Sequence, residues 1–507
     1  MLGYLCLGGD RVIPSLREKC GVFGVFAPGE DVARLTFFGL HALQHRGQES
    51  AGIAATDGER ISVFARMGLV AQAFDEESLE GLTGIAAIGH TRYSTTGSSV
   101  ECNIQPLLVT DGADHLPMID GHPRQLALAH NGNIVNADTL RADLESQGIV
   151  FETTTDSEVI AQLIATAPGL DWDQRFAAMM RRANGAYSLT VLTRDALFGV
   201  RDPNGVRPLC IGQLDGGYVI ASETCALDHL GATFLREVEP GEVVRVDASG
   251  ITSWFPIGQE QQRRALCLLE YIYFARPDSR MRGELLYEAR MRMGAALSRE
   301  HPVDADIVIG IPDSATAAAI GYAQASGIPY VEALVKNRYV GRTFIQPDQR
   351  LRDRGVQLKF NPLPEMLRGR RVVVVDDTIV RGTTTPRVVA MLRKAGAREI
   401  HMRITSPPIQ HPCFYGVDMA TRGELIAAQR EIEAIRLHIG ADSLGYLSLA
   451  ATAAATSQPE EHLCTACFSG NYPREVPLQL DKFALEIPAL PVAVRDGGQV
   501  EPLPLAR

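Results

Sequence analysis

The stretch RVVVVDDTIVRGTTTP, residues 371–386, constrains the fold more than any other part of the chain. Four consecutive valines make a strand buried on both faces, which demands strands beside it and layers above and below. The strand ends on Asp376 and Asp377, and a glycine- and hydroxyl-rich turn then enters a helix with Pro386 in its first turn. Gly382, Thr383 and Thr384 at that helix start can offer backbone amides and hydroxyls to the phosphate of a sugar phosphate. Paired carboxylates at a strand end suit ribose hydroxyls or, through water, a magnesium ion.

The surrounding region, from about 265 to 470, alternates β-branched runs with helical ones. DADIVIGIP precedes SATAAAIGYAQASG, and RVVVVDD precedes TTTPRVVAMLRKAGA and EIHMRIT. This pattern predicts an α/β domain, a parallel sheet with flanking helices. SLGYLSLAATAAAT, 443–456, reads as a surface or packing helix. Between about 20 and 255 the grammar differs: short runs such as CGVFGVFAP, RISVFARMG and YSLTVLTRDALFGVRD sit between Gly, Asn and Asp turns. Helices over 33–45 and 156–166 interrupt them, which predicts an α+β domain of stacked antiparallel sheets. Residues 111–125 read as a loop between strands. The boundaries are then 1–19, 20–255, 265–473 and a proline-rich tail, 474–507, packed on the surface or partly disordered.

Of the 507 residues 46% are hydrophobic, enough for two large cores. A formal net charge of −11 argues against a nucleic-acid or anionic-membrane partner. No run reaches the roughly 18 apolar residues of a membrane span, so a cytoplasmic protein is expected. Nine scattered cysteines fit a reducing compartment. Cys464 and Cys467 form a CxxC pair, open to reading as a redox pair, half a zinc site or chance, and with Cys267 and Cys413 they could hold zinc or a [4Fe-4S] cube. Cys6, Cys102, Cys210 and Cys225 read as plain thiols.

REKCGVFGVF places Cys20 behind nineteen residues that lack the basic start and cleavage site of a secretory signal. Were Cys20 the first residue, its α-amino group, with a pKa of about 7.7–8.0, could act as base for its own thiol. Residues 1–19 are therefore read as a propeptide, and Gly21 as a bulk-free approach for substrate.

RVVVVDDTIVRGTTT resembles the phosphoribosyl-pyrophosphate (PRPP) signature of the type I phosphoribosyltransferases. The resemblance implies PRPP binding by Asp376, Asp377, Thr378, Arg381, Gly382, Thr383 and Thr384. It extends to GIPDSAT, where Asp313 and Ser314 would meet pyrophosphate or its metal, and to KNRYVGRTFI, where Lys336, Arg338 and Arg342 would form a mobile lid. Ser314, Asp376 and Asp377 are the implied magnesium site. CGVFGV, LQHRGQESAGI, GHTRYSTTG, HNGNIVN and TTTDSEVI together resemble the class II, N-terminal-nucleophile glutamine amidotransferases. That likeness implies Cys20 as nucleophile, Arg92 on the glutamine carboxylate, Asp156 on its ammonium group, and Asn131 with Gly132 as oxyanion hole. Relatives would carry an acidic residue before the nucleophile, where Lys19 stands here.

The two likenesses in this order resemble the glutamine PRPP amidotransferase (amidophosphoribosyltransferase) family over about 20–473, with DPNGVRPL, ASETCALD, EYIYFARPDS, SPPIQHPCFYG and CFSGNYP as further matches. The family implies 5-phosphoribosylamine formation from glutamine and PRPP, the entry to purine (IMP) biosynthesis. It further implies purine nucleotide feedback inhibitors, a homotetramer and one magnesium ion per subunit. Its cluster-bearing branch implies one [4Fe-4S] cluster on Cys267, Cys413, Cys464 and Cys467. A PRPP-sensing regulator would carry a basic DNA-binding module and have no use for the glutaminase strings. A hexosamine-forming synthase would share only the first domain.

Overall fold

A computed structural model describes residues 20–93, 100–110, 125–168, 171–337, 359–419, 421–476 and 485. The first half is built on two antiparallel sheets. One has seven strands in the order Thr233–Glu237, Cys210–Leu214, Gly217–Ala221, Gly21–Phe26, Ala86–Arg92, Ser50–Thr56 and Ile61–Met67. The other has six, Gly250–Trp254, Val243–Asp247, Leu197–Arg201, Gly185–Leu192, Gln125–Ile134 and Leu107–Thr110. Val22, Ile88, Ala129, Leu197, Ile220 and Val244 form the core between the sheets. Phe23 and Val25, on the opposite face of the first strand, pack under the helix Val32–Ala42. A strand buried on both faces has no polar alternation, which is why CGVFGVF is uniformly apolar.

The second sheet is covered by the helices Asp156–Ala165 and Trp172–Arg182, with Ala137–Ser146 beside them. Sequence reading found only the first of these three. ADTLRADLES buries Ala137, Leu140 and Leu144 at helical spacing, a signal diluted by its charged residues. Leu485, from the tail, packs into this same core. The expected 111–125 loop lies outside the described residues up to position 124, but the strands on either side of it pair, Thr110 opposite Gln125.

The second half is a four-stranded parallel sheet in the order Ile307–Gly310, Arg371–Asp376, Glu399–Ile404 and Ser443–Tyr446. Val373 and Val375 face the helices Leu286–Glu300 and Thr316–Ser326; Val372 and Val374 face Thr385–Lys394 and Ile432–Ile439. The first helix pair touches backbone to backbone, since a Cβ on Gly294 would lie 1.8 Å from the Ala318 carbonyl oxygen. The expected 443–456 helix is corrected: SLGY is the last strand of the sheet, and only Leu449–Ala454 is helical. Four residues suffice for an edge strand, too few to show a period.

Candidate active site

Cys20 immediately precedes the strand Gly21–Phe26, whose pairing sets Gly21 opposite Thr91 and so brings the thiol beside the end of Ala86–Arg92. Its Sγ–H donates to the Tyr93 carbonyl at 3.3 Å, and Sγ accepts from the Tyr93 amide at 3.4 Å. Burial pushes this thiol up to about 12, with Arg92 opposing and Glu49 and Asp156 adding to the rise. The sulfur is therefore a protonated thiol that needs a base. Gly21 does not open a path for substrate, because a Cβ there would meet Thr91 Oγ1 at 2.8 Å and Leu43 Cβ at 3.1 Å. Packing accounts for that glycine.

Asn131 and Gly132 lie on the strand Gln125–Ile134. Asn131 is 1% exposed, and its Nδ2 has no hydrogen-bond partner among the described residues. A buried amide donor without an acceptor is a costly feature, and it is what an oxyanion hole awaiting its anion requires. Gly132 has φ +156°, and a Cβ would sit 2.0 Å from the Ala186 carbonyl oxygen. Asp156 opens the helix Asp156–Ala165, and its Oδ2 accepts from the Ile134 amide at 3.0 Å, so one strand carries Asn131 and Gly132 and anchors Asp156. Arg92, 2% exposed, closes its strand.

Sequence reasoning missed the layer behind these residues. His130 Nδ1 lies 3.1 Å from Ser157 Oγ and 3.8 Å from Asp156 Oδ2, while Gln105 accepts from the His130 amide and donates to Ser157. His90 Nε2 approaches the His130 carbonyl at 3.1 Å, and burial pushes His90 down to about 3 and His130 below its ordinary value. Both imidazoles are neutral supports. Four separate segments contribute to this network, and no local spacing announces it.

In the second half, Asp376 ends its strand, and its Oδ1 accepts from the Asp377 amide at 2.9 Å. Asp377 accepts from Ser314 Oγ at 2.9 Å and Thr378 Oγ1 at 3.2 Å, so Ser314, Asp377 and Thr378 converge. Burial, and then the like charge of Asp377, push the Asp376 carboxyl up. Thr383 and Thr384 are exposed at the start of Thr385–Lys394. Gly382 has φ +65°, and a Cβ would press on Ile426 at 2.4 Å. Lys336 Nζ is 2.6 Å from Asp313 Oδ2, so these two residues face each other. The Arg381 Nε points to Glu424 Oε2 at 3.2 Å, an engagement the local sequence did not suggest. Arg338 and Arg342 lie outside the described residues.

Cys267 and Cys464 are directly paired on a two-stranded parallel ladder, Leu266–Cys267 with Leu463–Cys464. The Cys467 carbonyl accepts from the amides of Gln410 and His411, which draws the Cys413 loop alongside. None of the four is in a disulfide, and all line one cavity with Arg207, Leu269 and Tyr415. Among the described residues no three His, Cys, Asp or Glu side chains converge as a single-ion site. Four thiols lining one cavity are a donor set chemically suited to a thiolate-bound metal or cluster. Cys210 and Cys225 are buried free thiols.

Two family models match this chain, a glutamine amidotransferase domain over residues 103–229 and a phosphoribosyl transferase domain over 284–405. The amidophosphoribosyltransferase of Synechococcus elongatus is 51% identical over 474 residues, covering 92% of this chain and 94% of that one. This chain belongs to the amidophosphoribosyltransferase family. The family member from Bacillus subtilis is 47% identical over 92% of this chain and 96% of its own. A solved amidophosphoribosyltransferase, the glutamine PRPP amidotransferase from B. subtilis complexed with ADP and GMP, superposes with a TM-score of 0.83 at 46% identity, covering 91% of this chain and 99% of that one. A second solved structure, described as the allosteric regulatory enzyme of purine biosynthesis, gives a TM-score of 0.85 at 45% identity, covering 93% and 100%. Amidophosphoribosyltransferase architecture therefore spans both halves of the molecule.

Proposed function

We infer that this chain hydrolyses glutamine in its first half and uses the ammonia to displace pyrophosphate from PRPP in its second, giving glutamate, 5-phosphoribosylamine and pyrophosphate at the entry to purine biosynthesis. The observation that carries this reading is the buried Asn131 amide, unpartnered among the described residues, beside Gly132 on the strand that also anchors Asp156. In the glutaminase step Cys20 is the nucleophile. Removal of residues 1–19 supplies the α-amino group that takes the thiol proton, since burial alone holds the thiol protonated. Arg92 holds the glutamine carboxylate, Asp156 its ammonium group, and Asn131 Nδ2 with the Gly132 amide stabilises the tetrahedral oxyanion.

In the transferase step Asp376 and Asp377 bind the ribose hydroxyls. The loop Thr378–Thr384 wraps the 5-phosphate at the helix N-terminus, and Asp313, Ser314 and Lys336 meet the pyrophosphate. Arg338 and Arg342 belong to the lid of this reading. Magnesium, held by Ser314, Asp376 and Asp377, would neutralise the leaving group. Cys267, Cys413, Cys464 and Cys467 fit a [4Fe-4S] cluster, which would supply a structural cross-link. Purine nucleotide inhibition, a homotetramer and a cytoplasmic location complete the proposal; nucleotide control is supported by the ADP and GMP bound to the B. subtilis relative.

The test is the intact mass and N-terminal sequence of anaerobically purified protein, with pyrophosphate release from PRPP measured with glutamine and with ammonia. A chain starting at Cys20 with glutamine-dependent release is expected. A chain retaining Met1 with full glutamine-dependent release would overturn the role of the freed amine.

A further inference from the structure

The strand bearing Asn131 and Gly132 is not backed by the first half alone. The loop that follows Cys413 crosses it, and at the crossing both chains lack side chains. Gly416 has φ +93°, and a Cβ there would lie 2.8 Å from both the carbonyl carbon and oxygen of Gly132. A Cβ on Gly132 would in turn strike the Ala186 carbonyl oxygen at 2.0 Å and His130 Nε2 at 2.8 Å. The Gly132 peptide is thus clamped between a strand of its own sheet and a loop from the second half, with no room for a methyl group on either side. One residue further on, Asn133 Nδ2 donates to the Phe414 carbonyl at 3.0 Å, which fixes the strand's height against the loop.

The loop itself is held firmly. The guanidinium of Arg207 donates to the Tyr415 carbonyl, the Tyr415 hydroxyl donates to the Arg474 carbonyl at 3.0 Å, and the Cys413 amide donates to the Met419 carbonyl at 3.0 Å. Held from both halves, this loop is a firm stop against which an oxyanion-hole peptide can be set. We propose that Gly416 and Asn133 are positioning residues for glutamine hydrolysis, setting the Asn131–Gly132 pair through the 413–416 loop of the second half. Neither touches substrate. An ångström of drift in the Gly132 peptide misaims its donor at the tetrahedral oxyanion while leaving the groups that hold the glutamine carboxylate and ammonium in place.

The inference rests on the oxyanion role given above to Asn131 and Gly132, and three variants separate the two. In Gly416→Ala and Asn133→Ala, kcat for glutamine-dependent turnover is expected to fall roughly tenfold to a hundredfold. The KM for glutamine stays within about twofold, because ground-state binding is untouched. The ammonia-dependent rate stays at the parent value. Asn133→Ala removes one hydrogen bond and adds no bulk, so it decides the question if Gly416→Ala does not fold. An unchanged glutamine kcat in Asn133→Ala, or a parallel fall of glutamine- and ammonia-dependent rates, overturns the proposal. Asn131→Ala tests the layer beneath: full glutamine-dependent activity in that variant removes the oxyanion reading, and the proposal with it.

Discussion

Two segments of chain meet at the Asp377 carboxylate, which takes Ser314 on one oxygen and its own neighbour Thr378 on the other. Asp377→Asn keeps the shape and loses the charge. The expected result is a rise in KM for PRPP of about tenfold to a hundredfold, the scale of losing charge-assisted contacts. The magnesium requirement should rise with it, while alkylation of Cys20 by a glutamine analogue continues at the parent rate. Steady-state kinetics at varied magnesium check this, and an unmoved KM would make Asp377 a purely structural acid. At this scale the sequence offers candidates where chemistry demands a residue type at a fixed place in a motif, as at Cys20, Arg92, Asn131 and Asp376. It was silent on His130, Gln105 and Ser157, because buried hydrogen bonds join positions that only the finished fold brings together. Arg381 shows the same limit, since its partner Glu424 lies forty-three residues away.

Among the elements, the two-residue ladder of Leu266–Cys267 and Leu463–Cys464 is too short to hold by its own hydrogen bonds. A cluster on the four thiols would tie it to the helix Ala466–Ser469 and to the Cys413 loop. Iron chelation under anaerobic conditions is therefore expected to lower Tm and to expose residues 463–476 to protease and hydrogen exchange before the sheet Ile307–Tyr446 yields. Equal protection with and without iron would refute that role. An element with an unbroken β-branched run, such as the valine strand Arg371–Asp376, was plain in the sequence because a strand covered on both faces has little choice of residue. Ser443–Tyr446 was not: its Leu, Gly and Tyr merge with the alanine run beyond, and only pairing with Glu399–Ile404 makes it a strand.

Across the whole molecule, the halves are joined by fully buried charge. Arg46 pairs with Glu223, and its Nη2 reaches Glu270 Oε2 at 2.8 Å, while Arg207 lies 3.5 Å from the other Glu270 oxygen. Removing Glu270 leaves two guanidinium groups poorly compensated inside the protein, so Glu270→Ala should cost about 3–5 kcal/mol in denaturant melts. Burial would raise the Glu223 carboxyl, but Arg46 and then His45 outweigh it and hold the group below its ordinary 4.5. A carboxyl lowered by folding adds stability above its unfolded value and loses it as pH falls through the folded one. Tm should therefore drop as pH falls below about 4.5, with a shallower acid slope in Glu223→Gln; identical slopes would exclude this pair as the source. Two cores of different grammar could be read from the sequence, but not the charged seam between them, because its members look like ordinary surface residues until both halves close over them. The paired ladder at Cys267 and Cys464 also has a topological meaning. It sets the beginning and end of the second half side by side, so that half is a line in sequence but a ring in space. A ring can be opened elsewhere and rejoined at its old ends, which makes the second half a natural subject for circular permutation.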